Sequence, residues 1–469
     1  MNDDLLPLGG RAVLSPVRPR ATAPVPYRFP RFEIAALDNG LRVIVAPVRK
    51  LPVVTALLLV DAGASTEPAG RDGVANLTAR GLLEGTARRS GNELTERFER
   101  LGAGVFAGAD WDSADVGVTV LRSHLEAALV LVGELVLEPS FPERDVARLR
   151  AERLADLLQM RTEPRGLADE MFSRFVYDPI SRYARPEEGA SDTVATLTRD
   201  DVVRFYRSRY RPRGSTLVLV GDLSVDEGLT LARRTLGQWD GTAEPVAPPN
   251  EAPARTTRAV HLVRKEDAPQ SELRIGHIGL SRTHPDYFPA MVMNAVLGGL
   301  FSSRINLNLR EVHAYTYGAF SGFAWRRGAG PFVASTAVES DITADAAREV
   351  LIEIDRMRDA PVTAAELSLA TSYLGGVFPI KYETTDAIAR ALAALAAYDL
   401  PIDYFDTYRD AVRAVSIADV QRAAQRYLHP DALQVVVVGD AADVRAPLAA
   451  MQFGPLLEYG ADGAEIPTD

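Results

Sequence analysis

The stretch LGGLFSSRINLNLREVHAYTYGAF, residues 297–320, decides how the rest of this chain is read. Gly298 and Gly299 close the apolar run MVMNAVL and open a tight segment in which backbone can approach a ligand closely. An amphipathic piece with Ile305, Leu307 and Leu309 runs to Arg310, and a β-prone aromatic run with Tyr315, Tyr317 and Phe320 follows. Arg310 and Tyr317 stand seven residues apart across a helix-to-strand junction, a spacing that lets both side-chain tips converge. A guanidinium and a phenol together hold a peptide carbonyl, or the negative charge that develops on it. The same residue types also describe a buried tyrosine hydrogen-bonded beside a surface arginine.

Working outward, 469 residues exceed one ordinary core and imply two to four domains. With 47% hydrophobic and 25% charged residues the chain reads as globular. The net charge of −11, without a basic block, argues against a nucleic-acid partner. There is no cysteine, which excludes a disulfide framework, a thiolate metal site and a cysteine nucleophile. No apolar run reaches membrane-spanning length, and the first residues lack the basic-then-apolar pattern of a signal peptide, so a cytoplasmic protein without a membrane partner is expected.

Five prolines between Ser15 and Pro30 make residues 1–32 an extended N-terminal arm. Strands are expected over Leu41–Val48, Val53–Val60, Ala114–Leu121 and Ser215–Val220. Helices are expected over Asp72–Glu84 (Asp72 as N-cap), Asn92–Leu101, Leu125–Leu137 and Arg199–Arg209. A long charged helical region from Pro142 to Val176 breaks near Pro164. Residues 241–257 carry four prolines and little apolar content, and read as a linker between a domain at 33–240 and another at 258–469. Beyond that linker the order of elements returns. Thr198, Asp201, Val202, Pro212, Gly221 and Asp222 recur 218 positions later as Ser416, Asp419, Val420, Pro430, Gly439 and Asp440. A repeat this long indicates a duplicated domain, not a solenoid. The fold class expected is α+β: two homologous halves of duplicated α/β lobes, with mixed sheets and helices packed on one face.

Gln270-Ser271, then DYFPAMVMNAVLGGLFSSRINLNLRE, then AYTYG resembles the C-terminal half of insulinase/pitrilysin-type metallopeptidases, the inverzincins. The resemblance spans about residues 33–450 and implies a clamshell-type peptidase fold. It also implies that Arg310 and Tyr317 bind substrate opposite a zinc ion, with Gly298, Gly299 and Ser302 in a loop lining a peptide chamber. Active members carry His-x-x-Glu-His on a helix that corresponds here to DGVANLTARGLLEGT, residues 72–86. The ligand and base positions are Asn76, Ala79 and Arg80. An amide and a guanidinium do not replace neutral imidazoles on zinc, and alanine takes no proton. The family's third ligand, a glutamate, falls near Ala155-Asp156. No catalytic residue and no zinc are therefore expected in this chain.

No other chemistry takes their place. The six histidines (His124, His261, His277, His284, His313 and His429) include no pair three or four residues apart. His313 is expected to pack or cap. Gly-x-Ser-x-Gly and the phosphate-loop signature are missing. The resemblance implies a non-catalytic subunit that lends Arg310 and Tyr317 to a homologous zinc-bearing partner, against a peptide or unfolded-protein substrate. The rival expectation is a peptide-binding or structural core-type subunit with no part in proteolysis.

Overall fold

The computed structural model describes residues 26–245 and 248–467. Residues 1–25 of the expected N-terminal arm therefore lie outside the described residues. The first sheet contains β1 (Glu33–Ala36), β2 (Arg42–Pro47), β3 (Val53–Val60), β4 (Gly104–Ala109), β5 (Ala114–Leu121) and β6 (Thr216–Gly221), in the spatial order β1-β2-β6-β3-β5-β4. The second contains β7 (Ala259–Arg264), β8 (Gln270–Ile278), β9 (Ala319–Phe323), β10 (Pro331–Glu339), β11 (Gln434–Gly439), β12 (Leu456–Tyr459) and β13 (Glu465–Ile466), in the order β13-β12-β7-β11-β8-β10-β9. The orders β2-β6-β3-β5-β4 and β7-β11-β8-β10-β9 superimpose strand for strand, each with one parallel pair beside antiparallel ones. Only the outer edges differ: β1 joins β2 antiparallel, whereas β12 joins β7 parallel.

The repeated sequence lies at the centre of this pattern. Strands β6 (TLVLVG) and β11 (QVVVVG) are buried along their whole length, which explains their unbroken apolar runs. Each ends in a glycine where the next strand crosses. A Cβ on Gly221, at φ +147°, would lie 2.2 Å from the Val53 carbonyl oxygen, and one on Gly439 would lie 2.5 Å from Ser271 Oγ. The preceding helices, Arg199–Arg209 and Ile417–Tyr427, both open on reciprocal capping boxes, Thr198 with Asp201 and Ser416 with Asp419.

Each sheet carries its own half's helices on one face. Its other face is covered by a helix from the opposite half. Pro164–Val176 lays Leu167, Met171, Phe172 and Phe175 against Val436 and Val438 of β11. Thr385–Ala397 in turn sets Ile388, Leu392 and Leu395 against Leu57, Val218 and Val220 of the first sheet, and Thr55 and Thr385 share a hydroxyl hydrogen bond of 2.9 Å. Each such fully buried large side chain contributes ~2 kcal/mol, so the exchange binds the halves together. Residues 26–32 form no helix or strand but do not hang free: Phe29 stacks on Phe405 with ring centroids 4.1 Å apart.

Candidate functional site

In the first half the helix corresponding to the zinc motif is Val74–Gly81, and its start differs from expectation. Asp72 is not the cap. It is buried and paired with Arg182 (3.4 Å) and Arg185. Gly73 occupies the cap position at φ +96°, and the orphan helix N–H groups turn to Glu67, whose Oε1 accepts from Gly73 (2.9 Å) and Ala75 (2.8 Å). Glu67 Oε2 lies 2.7 Å from Arg182 Nε. Burial pushes the Glu67 carboxyl up, against the opposing pull of Arg182 and the two N–H groups.

Asn76 is half-buried, Ala79 is buried, and Arg80 reaches across to Glu152 at 3.0 Å. Glu152 also accepts from Arg148 at 2.6 Å, and Arg148 continues to Glu84. Asp156 is exposed. Two guanidiniums and two carboxylates thus fill the ground between this helix and Glu143–Thr162 with ion pairs. These residues do not fit a zinc ion. Among the described residues no group of three His, Cys, Asp or Glu side chains is placed to hold a metal. Two of the histidines are core groups: His261, stacked on Phe175 at 4.4 Å, and His277 are both pushed down to about 4, chiefly by burial.

The second half differs over the corresponding interval, between β8 and β9. The apolar run forms helix Tyr287–Asn294 and widens into a looser turn over Ala295–Gly299. Gly298 approaches strand β9, not open space: a Cβ there would lie 2.3 Å from Ser321 Oγ. Gly299, Phe301 and Ser302 face outward, and Phe301 is 59% exposed. Arg310 lies in the turn Leu307–Val312, pairs with Glu311 at 3.4 Å, and holds its guanidinium 4.6 Å above the Phe301 ring. The loop and Arg310 are therefore brought together.

Tyr317 is 94% exposed, yet the chain on either side of it is pinned. The Tyr315 N–H donates to the Leu309 carbonyl at 2.8 Å. Thr316 and Thr336 hydroxyls both donate to the Gly318 carbonyl, at 3.1 and 3.2 Å. The Ala319 N–H donates to Asn306 Oδ1 at 3.0 Å. Strand β9 starts only at Ala319, so Tyr317 sits on a turn and not within a strand. It borders a cleft of about 520 Å³, whose wall includes Arg165 and Asp169 of the exchanged helix and Glu272 and Arg274 of β8. Among the described residues no hydrogen bond or ring contact joins Arg310 to Tyr317. His313 packs, stacked on Tyr315 at 4.9 Å.

Comparison with known proteins settles the family. Residues 42–179 match the insulinase (peptidase family M16) profile, and residues 196–374 match that of the peptidase M16 inactive domain. The chain belongs to the insulinase family of peptidases. Among curated relatives it is 27% identical over 279 residues to the probable mitochondrial-processing peptidase subunit beta of Schizosaccharomyces pombe, a match covering 58% of this chain and 59% of that protein. It is 26% identical over 271 residues to the bovine cytochrome b-c1 complex subunit 1, covering 57% of this chain and 56% of that protein. A crystal structure of a peptidase M16 inactive domain from Pseudomonas fluorescens has the same two-lobed fold, with TM-score 0.81 at 26% identity, over 87% of this chain and 98% of that one.

Sequence reasoning included Phe301 in the loop Gly298–Ser303 without singling it out, and missed Asn306. An aromatic residue nine positions before an arginine gives no signal at helical spacing, and a buried asparagine announces itself only once its partners are known.

Proposed function

We propose that this chain is the non-catalytic subunit of a zinc metallopeptidase, pairing with a homologous subunit whose zinc site is intact. Arg310 and Tyr317 hold an extended peptide or unfolded-protein segment against the partner's zinc centre. Gly299 and Ser302 line the approach, and Gly298 seats the loop on β9. The observation that carries this reading is a tyrosine left 94% exposed on a turn fixed at both ends. A flexible exposed tyrosine would say little. A pinned one has already lost the conformational freedom that binding would otherwise remove. The apolar side chains left exposed in the same stretch of sequence (Phe301, Leu307, Val312 and Phe320) suit contact with unfolded chain or with another subunit. The ion-paired ground around Arg80 supports assigning the zinc to the partner.

The relative named as a cytochrome b-c1 complex subunit favours a second reading, a core-type subunit without a role in proteolysis. One experiment separates them. The full chain is produced together with a family member bearing His-x-x-Glu-His from the same genome, and peptide turnover is measured with Arg310→Ala and Tyr317→Phe. On the first reading turnover falls on the order of a hundredfold while complex formation is kept. On the second it does not change.

A further inference from the structure

Asn306 is completely buried, and its carboxamide spans two segments that are far apart along the backbone path. Nδ2 donates to the Phe301 carbonyl at 2.6 Å, and Oδ1 accepts from the Ala319 N–H at 3.0 Å. The two partners fix the amide's orientation, since a carbonyl needs the NH2 and an N–H needs the oxygen. One side chain therefore ties the loop carrying Phe301, on which Arg310 rests, to the backbone two residues beyond Tyr317. Asn294 supplies a second tie on the same edge, donating to the Ser321 carbonyl at 3.0 Å and accepting from Ser321 Oγ at 2.7 Å. Backbone groups on the outer edge of β9 that would otherwise seek a partner are thus occupied by side-chain amides.

We propose that Asn306 is a positioning residue that sets the Phe301–Arg310 platform and the Tyr317 turn in one fixed relation. This rests on the substrate-holding reading above for its functional meaning, though the bridge itself is testable without it. A side chain with one function only, donor or acceptor, cannot perform this task. Leucine fills the space and breaks both bonds. Aspartate keeps the acceptor for Ala319 but sets a carboxylate against the Phe301 carbonyl, unless the carboxyl is protonated and donates.

The test is amide hydrogen exchange, read by mass spectrometry on the full chain, for wild type, Asn306→Asp and Asn306→Leu. Strand β11 serves as internal reference. At neutral pH, Asn306→Leu is expected to speed exchange in residues 299–303 and 316–320 together, by about tenfold or more. Asn306→Asp is expected to speed only 299–303, and lowering the pH to about 5 should restore protection there as the new carboxyl protonates. Loss of space-filling alone would not produce that acid rescue. The charged groups around the segment, Arg304 with Glu366, Arg310 with Glu311, and His313 beside Glu349, are common to all three proteins. The wild-type profile over the same pH range removes their effect. If Asn306→Leu does not fold, the near-isosteric Asn306→Asp carries the test. Exchange in 299–303 that stays unchanged in Asn306→Asp up to about pH 9, where the carboxyl is ionised, or that is sped up and not rescued by acid, overturns the bridge. An intact bridge with full turnover in Tyr317→Phe overturns its role in holding substrate instead.

Discussion

The interval between β3 and β4 and the interval between β8 and β9 occupy the same place in two copies of one fold, yet they treat their polar residues in opposite ways. In the first, Arg80 and Glu84 are taken up in ion pairs with Arg148 and Glu152 of a later helix, and the buried carboxylates Glu67 and Asp72 are held by Arg182 and the partly exposed Arg185. In the second, Arg304 still pairs with Glu366, but the hydrogen bonding about the Tyr317 turn goes to backbone, through Asn294, Asn306, Thr316 and Thr336, while Tyr317 itself faces solvent. The first arrangement suits stability. The second fixes a scaffold and leaves the groups at its tip free to bind something else.

The sharpest way to break this contrast is to remove Arg182. Its side chain is 9% exposed and Glu67 is fully buried, so Arg182→Ala leaves a buried carboxylate without its ion-pair partner, held only by the Gly73 and Ala75 N–H groups. A loss of about 3–5 kcal/mol is expected from denaturant unfolding. Next come Arg310→Ala and Tyr317→Phe. Their effect belongs to turnover of the assembled pair, on the order of a hundredfold, with unfolding free energies changed by no more than about 0.5 kcal/mol. A large loss of stability in Tyr317→Phe would erase the contrast.

A third test uses pH. Glu187 stands where the two hairpin turns of the halves meet, near Asp110 and Arg326, and its carboxyl is pushed up to about 7 from the ordinary 4.5, chiefly by burial and then by Asp110. The folded protein holds this proton more tightly than the unfolded chain. Its contribution to stability is therefore fully present below pH 4.5 and is lost as pH rises through 7, on the order of 3 kcal/mol. Urea midpoints measured at pH 5 and pH 8 should differ less in Glu187→Gln than in wild type. The smallest effect is at Arg80, whose pair with Glu152 is well solvated: Arg80→Ala should cost no more than about 1 kcal/mol. Asn76→His with Ala79→Glu and Arg80→His should bind zinc only weakly in chelator competition, because Asp156 is exposed and a zinc site also needs supporting partners, worth ~10–100-fold in affinity. Tight stoichiometric zinc would mean that the first site is only masked by its ion pairs.

Periodic signals survived translation into structure best. Ala114–Leu121, Leu125–Leu137 and Arg199–Arg209 have the ends their sequence implies, and the Pro164 break separates two helices where φ restriction requires it. The 218-residue echo falls on the central strands of two matching sheets. What local patterns do not encode is the destination of a buried face. The apolar stripe of Pro164–Val176 says that it is covered, not that the cover is the other half's sheet. Asp72 had the residue type and place of a helix cap, but arginines 110 and 113 positions later claim it. Gly298 signalled close approach correctly, while the approaching atoms belong to Ser321. The convergence expected of Arg310 and Tyr317 depends on the turn before β9, whose path is set by side-chain hydrogen bonds that no spacing rule contains.

The exchanged helices also impose an order of events on synthesis. When β11 leaves the ribosome, the helix that covers its sheet, Pro164–Val176, has long been made. The first sheet has no such provision, since its last strand ends at Gly221 and its cover begins at Thr385. At ~5–20 residues per second, that gap leaves an apolar sheet face uncovered for roughly 10–30 s during translation. A nascent chain in this interval is a natural client for a chaperone, and premature termination anywhere between the two elements would release a fragment with one greasy face and no lid.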